Sequence, residues 1–125
     1  MFDDSRVSNI KDSEKVEKPW GYEVIWAKTD SYVAKVMQIN SGHRMSLQFH
    51  KNKEETIYVM AGMMRVWESE DDKIFKDLPA GTLYHVQPGQ VHRLGSGTEK
   101  FGTMLMEIST NHLDDVVRIQ DDYDR

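Results

Sequence analysis

The sequence predicts an all-β domain, built as a sandwich or barrel of short strands. From Tyr22 onwards the apolar residues recur with a period of two, which is the side-chain alternation of a β-strand. A length of 125 residues fits a single domain. Turn-forming residues return about every ten positions, a spacing typical of sandwiches and barrels. They are Gly42, Gly62, Asp71, Pro79 to Gly81, Pro88 with Gly89, and Gly95 to Gly97.

The predicted strands follow one another along most of the chain. They cover residues 22–26, 32–39, 45–49, 56–60, 64–67, 73–78, 82–86, 91–94 and 101–108. In the second of these strands, alternation places Val33, Lys35, Met37 and Ile39 on one face. The strands over 56–60 and 64–67 are predicted to form a hairpin around Ala61–Gly62.

The two ends of the chain differ from this pattern. Residues 1–18 are polar, mixed in charge and without a sustained apolar period, so we expect a flexible N-terminal arm before a barrel domain over 19–125. The last segment, Asp114 to Asp122, is predicted to form a short helix or an edge strand.

Composition excludes several classes of protein. The formal net charge of −5 and the pI near 5.5 argue against nucleic-acid binding, which needs a concentrated basic face. No apolar stretch approaches the roughly 20 residues of a membrane span, and the N-terminus is too polar for a signal peptide. The absence of cysteine excludes disulfides and thiolate chemistry. We therefore expect a soluble cytoplasmic protein.

Four separated side chains form a candidate metal site. Gln48 and His50 point to the same face of a strand, Glu55 follows after a turn, and His92 lies far downstream after Pro88–Gly89. Two imidazoles, a carboxylate and an amide oxygen suit a divalent first-row metal. Spacing alone supports two interpretations equally: a metal site, or two unrelated surface histidines beside a solvent-exposed run of lysines and glutamates.

These residues lie within two motifs that resemble those of the cupin superfamily. The first motif of that family has a glycine, a His-x-His pair, a glutamate and a closing glycine, and the second has a glycine, Pro-x-Gly and a histidine. The first is matched by Gly42, Gln48, His50, Glu55 and Gly62, and the second by Gly81, Gly89 and His92. Gln48 replaces the first histidine, and Pro88 is displaced by one position.

One branch of cupins fits better than the others. The chain resembles the C-terminal, phosphomannose isomerase-type cupin of bifunctional mannose-6-phosphate isomerase/mannose-1-phosphate guanylyltransferases over residues 18–125. The likeness lies in Lys18 to Val24, Arg44 to His50, Val91 to Leu94, and Asp114 to Arg118 with Tyr123 and Arg125. It implies a double-stranded β-helix, or jelly-roll barrel, with a role in carbohydrate metabolism. It also implies that a divalent ion is held by Gln48, His50, Glu55 and His92. Zinc is the expected ion, with manganese, iron and nickel as alternatives.

The chain departs from this branch in ways that leave the substrate open. It lacks the nucleotidyltransferase domain, so we expect no guanylyl transfer. Asp122 and Asp124 stand where the branch carries Arg and Gly, and His85 stands where an aromatic residue is common. The resemblance therefore implies isomerisation of a phosphorylated or nucleotide-linked sugar, without identifying the sugar.

Aldose–ketose isomerisation of a sugar phosphate needs an electrophile, an acid/base and groups that bind the phosphate. The metal supplies the electrophile. Candidates for the acid/base are His85 and Lys35. Lys35 matches a lysine of the isomerase-type cupins. The alternative for Lys35 is an ordinary lysine that faces outward. Phosphate contacts are predicted from cationic residues near the ligands or in a matching motif, although Lys51 and Lys53 each also fit a solvated loop. These residues are Arg44, Lys51, Lys53, Arg93 and Arg118.

Two other functions fit the same residues. An iron-dependent oxygenase is expected to have either three histidines and a glutamate or two histidines and a carboxylate as ligands. Gln48 argues against the first set, whereas His50, Glu55 and His92 are compatible with the second. The altered C-terminal motif favours a sugar-binding cupin that keeps the metal without turnover. In each case the expected partners are a small molecule and a second copy of the chain, because the strand edges of a small barrel favour a homodimer.

Overall fold

Strand pairing arranges the chain in two layers of antiparallel strands. The computed structural model describes residues 2–97 and 100–125, and within them it contains eleven strands and two single-turn 3₁₀ helices, Asp4–Arg6 and Ile10–Asp12. The strands are β1 (Glu14–Lys18), β2 (Gly21–Lys28), β3 (Val33–Ile39), β4 (Leu47–Phe49), β5 (Glu55–Ala61), β6 (Met63–Trp67), β7 (Lys76–Pro79), β8 (Leu83–Val86), β9 (Arg93–Ser96), β10 (Thr103–Ser109) and β11 (Val117–Gln120). The predicted all-β barrel is confirmed.

The larger layer is a six-stranded sheet in the order β1-β2-β3-β10-β5-β8. The smaller layer combines the sheet β7-β6-β9 with the pair β11-β4, and single bridges from Arg44 to Gly95 and from Gln48 to His92 join the two. Strands of both layers contribute the apolar core. Its buried members are Trp20, Met37, Ile39, Ile57, Val59, Met64, Val66, Leu94 and Leu105.

The inward faces of the larger sheet change from apolar to polar along the strands. In β3 and β10 the antiparallel register pairs Met37 with Leu105, and then Lys35 with Glu107. In β10 and β5 it pairs Ser109 with Glu55. Because alternate residues of a strand share one face, the polar side chains collect at one end of the barrel, beyond the apolar core.

The predicted hairpin around Ala61–Gly62 is wrong. β5 pairs with β10 and β8, whereas β6 pairs with β7 and β9, so the chain crosses here from one layer to the other. Gly62 has φ of +81°, and a Cβ there would lie 2.6 Å from the carbonyl oxygen of Gly102. Only glycine therefore fits this corner without displacing the backbone.

The two chain ends also differ in part from expectation. Within the predicted arm, of which Met1 lies outside the described residues, Glu14–Lys18 form β1 and pair with β2. Backbone hydrogen bonds hold this mostly exposed edge strand, so its side chains show no sustained apolar period. At the other end, the alternative of an edge strand is confirmed, because β11 pairs with β4. Among the described residues no helix has the length and apolar character needed to cross a membrane.

Candidate metal centre

Three side chains with metal-ligating atoms meet at the polar end of the barrel. His50 directly follows β4, Glu55 begins β5, and His92 directly precedes β9. Their exposed fractions are 2%, 3% and 1%. One ligand atom from each lies within 4.8 Å of the others. The backbone bridge between Gln48 and His92 brings the two histidines side by side, with their ring centroids 5.1 Å apart.

Backbone carbonyl groups orient both imidazoles. Nδ1–H of His50 donates to the carbonyl of Asp115 (2.6 Å), and Nδ1–H of His92 donates to the carbonyl of Gln90 (2.9 Å). This leaves Nε2 of each ring facing Oε1 of Glu55, at 3.4 Å and 3.2 Å. Such hydrogen bonds fix the tautomer in which Nε2 can bind a metal.

The two Nε2 atoms are buried and have no hydrogen-bond partner among the described residues. A buried polar atom without a partner costs about 1–3 kcal/mol of stability, so two such nitrogen atoms beside a carboxylate are the donor arrangement of a cation site. A divalent cation would bind both nitrogens and the carboxylate. The residues present therefore fit a metal ion, of the kind that takes histidine and carboxylate ligands.

Gln48 adjoins this cluster. Its backbone N–H and carbonyl exchange hydrogen bonds with His92, at 3.0 Å and 2.9 Å. Its side-chain Oε1 accepts a hydrogen bond from the hydroxyl of Ser46 (2.7 Å). Gln48 lines the same cavity as His50.

Asp115 holds the loop that joins His50 to Glu55. Its carboxylate accepts hydrogen bonds from the backbone N–H groups of Lys51 (2.9 Å), Asn52 (2.7 Å) and Lys53 (3.0 Å). These hydrogen bonds lower the pKa of Asp115 to about 2. Together with the carbonyl that accepts from His50, they make Asp115 the main contact between the C-terminal segment and the ligand loop.

Replacing Asp115 with alanine is expected to lower the free energy of unfolding by about 1–2 kcal/mol. Water can replace the carboxylate at the exposed residues Lys51 and Asn52, but Lys53 is buried. Urea unfolding measures the effect, with Asp114→Ala as the control because Asp114 is an exposed neighbour. Equal stability of the two variants would contradict the role assigned to Asp115.

A polar cavity of about 340 Å³ adjoins the cluster. His50 and Gln48 form part of its wall, and Arg118 and Arg125 contribute cationic groups. This volume is within the range of small-molecule sites. Four buried charged residues also line it: Glu23, Lys35, Lys53 and Glu107.

Ion pairs link these charges in an alternating series. Nζ of Lys35 lies 3.3 Å from Glu23 and 4.0 Å from Glu107, and Nζ of Lys53 lies 3.0 Å from Glu107 and 3.1 Å from Glu55. The series therefore runs from the cavity wall to the candidate ligand Glu55. Buried ion pairs seldom add to stability, so the fold gains little from keeping such a series.

The same contacts shift three pKa values. Burial acts to lower the pKa of Lys53, but the carboxylates of Glu107 and Glu55 hold it above its ordinary value. Burial and the charge of Glu55 raise the pKa of Glu107. Burial acts to raise the pKa of Glu55, but His50, His92 and the charge of Lys53 hold it well below its usual range.

Comparison with known proteins identifies the family. A family model described as Mannose-6-phosphate isomerase C-terminal matches residues 5–121. The chain belongs to this family. A comparison with curated proteins finds no significant match.

Solved structures agree on the cupin fold. The chain is similar to a double-stranded β-helix protein from Klebsiella pneumoniae (16% identity, 90% of this chain, 96% of that chain, TM-score 0.72). It is also similar to an RmlC-like cupin from Shewanella frigidimarina (18% identity, 86% of this chain, 91% of that chain, TM-score 0.69). A variant of Bacillus subtilis oxalate decarboxylase matches over one part of its length (19% identity, 90% of this chain, 33% of that chain, TM-score 0.72). At these identities the likeness shows the fold alone.

In this mannose-6-phosphate isomerase C-terminal domain, three of the residues predicted for catalysis or substrate binding line the cavity. Lys35 is buried, so of its two alternatives the structure shows the inward-facing one, and Lys53 is also buried. Arg118 is exposed on β11 at the cavity. The cavity also contains Glu23 and Glu107, which the sequence reasoning missed. Strand alternation could have found Glu107, since it shares a face with Leu105.

The structure places the other four predicted residues away from the cavity lining. His85 is exposed on β8, where its Nε2 lies 2.9 Å from Glu54. Lys51 is exposed on the loop. Arg44 and Arg93 lie elsewhere and are engaged in structural contacts.

Those two arginines connect the C-terminal segment to the rest of the cupin barrel. Nε of Arg44 donates to the carboxylate of Asp122 (2.7 Å). The buried guanidinium of Arg93 donates to the carbonyls of Met45 (3.0 Å) and Gln120 (3.1 Å). The donors of these two side chains are therefore directed to protein groups rather than to the cavity.

Proposed function

We propose that this cupin domain is a metal-dependent aldose–ketose isomerase acting on a phosphorylated sugar, with mannose 6-phosphate as the first substrate to test. The observation that carries the proposal is the buried cluster of His50, Glu55 and His92 beside a polar cavity that also has arginines in its wall. Membership of the mannose-6-phosphate isomerase C-terminal family supports the same reaction.

His50, Glu55 and His92 would hold the metal ion, with Gln48 as the fourth ligand. Imidazole and carboxylate ligands suit zinc, and they are also compatible with manganese, iron and nickel. When bound, a divalent ion supplies a Lewis acid that stabilises negative charge on the sugar oxygens.

The proton transfer is assigned to groups that line the cavity. Isomerisation takes a proton from one carbon and returns it to the adjacent carbon, which requires one group that can do both. Nζ of Lys35 remains the proposed acid/base, because it is buried in the cavity between Glu23 and Glu107. These two carboxylates hold the side chain in position and can accept hydrogen bonds from sugar hydroxyl groups.

Arg118 is proposed to bind the phosphate. Replacing it with alanine is expected to weaken binding of mannose 6-phosphate by roughly 10–150-fold, since a hydrogen bond to a charged group is worth about 1.5–3 kcal/mol. Calorimetric titration measures the change, and metal content is expected to stay the same. Arg65→Ala is the control, because Arg65 pairs with Asp77 on the neighbouring strand of the smaller layer. Unchanged affinity in Arg118→Ala would remove Arg118 from the site.

The test of the function is conversion of mannose 6-phosphate to fructose 6-phosphate by metal-loaded protein, with chelator-treated protein as the control. We expect turnover that is lost on chelation and restored by adding the ion. Metal-loaded protein that turns over neither this substrate nor other aldose phosphates or nucleotide-linked sugars would overturn the proposal. In that case a sugar-binding cupin without turnover becomes the better description.

A second function is favoured by one specific observation. The cluster contains two histidines and one carboxylate, which is the ligand set of iron-dependent oxygenases. Metal analysis of the purified protein separates the two functions. Zinc favours isomerase, whereas redox-active iron together with oxygen consumption favours oxygenase.

Homodimer formation is also proposed. β1 and β8 are the edges of the six-stranded sheet, and exposed edges favour pairing with another chain. Light scattering is expected to give twice the chain mass of 14.6 kDa. A mass of one chain at all concentrations tested would contradict this expectation.

A further inference from the structure

Lys53 is a buried cation directly beside the candidate metal centre. Its exposed fraction is 5%, and its Nζ lies 3.1 Å from Oε2 of Glu55. An ammonium at this position opposes the binding of a dication by the same carboxylate, because like charges repel strongly where water is excluded. The site therefore needs a feature that offsets the charge of Lys53.

The two oxygens of Glu55 have different neighbours. Oε1 faces Nε2 of both His50 and His92, whereas Oε2 faces Lys53. Lys53 thus fixes the carboxylate so that Oε1 is presented to the histidines. A dication among the three ligands would lie on the Oε1 side, with the ammonium on the opposite side of the carboxylate.

Glu107 supplies the compensating charge. It is 4% exposed, and its Oε2 lies 3.0 Å from Nζ of Lys53, as close as Glu55 is. Glu107 also lies 4.0 Å from Nζ of Lys35, whose nearer partner is Glu23 at 3.3 Å. When all are ionised, the three carboxylates and two ammonium groups of the series carry a net charge of −1, which suits a dication. Without Glu107 the remaining four charges would cancel.

We propose that Glu107 and Lys53 are positioning residues that set the metal affinity of the centre through their charges: Lys53 opposes the dication at Glu55, and Glu107 neutralises Lys53. This inference rests on the metal centre of the proposed function but not on isomerase activity. The proposal distinguishes an effect of charge from a structural role of the Lys53–Glu107 ion pair. Loss of either residue would have the same effect if the pair were only structural, whereas the two charges affect metal affinity in opposite directions.

The test is calorimetric titration of the metal-free full chain with Zn²⁺ and no sugar. Glu107→Gln is expected to weaken binding by roughly 10–100-fold, the range seen when partners of metal ligands are changed. Lys53→Met is expected to tighten binding on the order of tenfold, and the double variant is expected to lie near the wild type. Glu107→Asp keeps the charge and is expected to restore affinity to within a few-fold of the wild type.

Glu54→Gln is the matched control. Glu54 is an exposed carboxylate next to Glu55 in sequence, and its partner is His85 on the outside of the barrel. Its loss is expected to leave zinc affinity unchanged. If Lys53→Met does not fold without metal, Lys53→Gln takes its place and is likewise expected to tighten zinc binding, because it also removes the positive charge.

Three results would overturn the inference. They are wild-type affinity in Glu107→Gln, weakened binding in Lys53→Met, and no zinc binding by the wild type. The third would also remove the metal centre, whereas zinc binding without sugar turnover would count only against the isomerase proposal.

Discussion

Replacing His92 with alanine is expected to abolish metal binding and the thermal stabilisation that metal brings. His92 is fully buried, and its Nε2 lies 3.2 Å from Glu55, so alanine leaves a gap at the centre of the cluster. A ligand at a hundredfold excess over its Kd stabilises the folded state by about 2.7 kcal/mol, or roughly 10 °C in Tm for a domain of this size. The wild type is expected to show this shift with Zn²⁺, and the variant none.

Elemental analysis and thermal melts with and without Zn²⁺ measure the effect. His43→Ala is the control, because His43 is exposed and its ring contacts the carbonyl of Ser41 outside the cavity. It is expected to keep both the metal and the shift in Tm. Full metal content in His92→Ala would remove His92 from the ligand set.

Replacing Gly21 with alanine is expected to prevent folding. Gly21 begins β2 with φ of +155°, and a Cβ there would lie 1.8 Å from the carbonyl oxygen of Gln38 on β3. The overlap is with backbone, so β2 and β3 must separate at this point. The cost is expected to remove most of the free energy of unfolding, which is roughly 5–15 kcal/mol for a typical domain. Circular dichroism should then show no cooperative melting transition.

Gly81→Ala separates this overlap from backbone strain. Gly81 also has positive φ, +94°, but a Cβ there would meet no atom of the described chain within 4 Å. Strain alone is expected to cost about 1–3 kcal/mol, so the variant should fold and melt at a lower temperature. Equal losses in the two variants would show that contact with Gln38 is not the cause.

The alternation of apolar and polar residues predicts much of the fold. It identifies β3 and correctly places Lys35 on the same inward face as Val33, Met37 and Ile39. This succeeds because alternation is a local property of an extended chain. Partner choice is not local: the turn at Gly62 fits a hairpin as well as a crossing between layers, and only the packing of both layers selects the crossing.

Some residues of the candidate site could also be predicted from the sequence, whereas others depend on tertiary packing. The motif spacing and the family resemblance named His50, Glu55 and His92, and the structure brings these three together. Strand alternation could place Glu107 on the face of Leu105, but not predict its contacts with Lys35 and Lys53. Those contacts depend on β10 lying between β3 and β5, which brings together residues far apart in sequence.

Loop residues were the least predictable, because a loop has no period from which burial can be inferred. Lys53 fits a solvated loop in the sequence, but it is buried because its loop folds back onto Asp115. Arg93, expected at the substrate, instead holds the C-terminal segment. The sequence by itself therefore determined the β-barrel class and the candidate ligands, through local alternation and motif spacing. The tertiary structure alone decided which charges face the cavity, because that depends on which distant segments pack together.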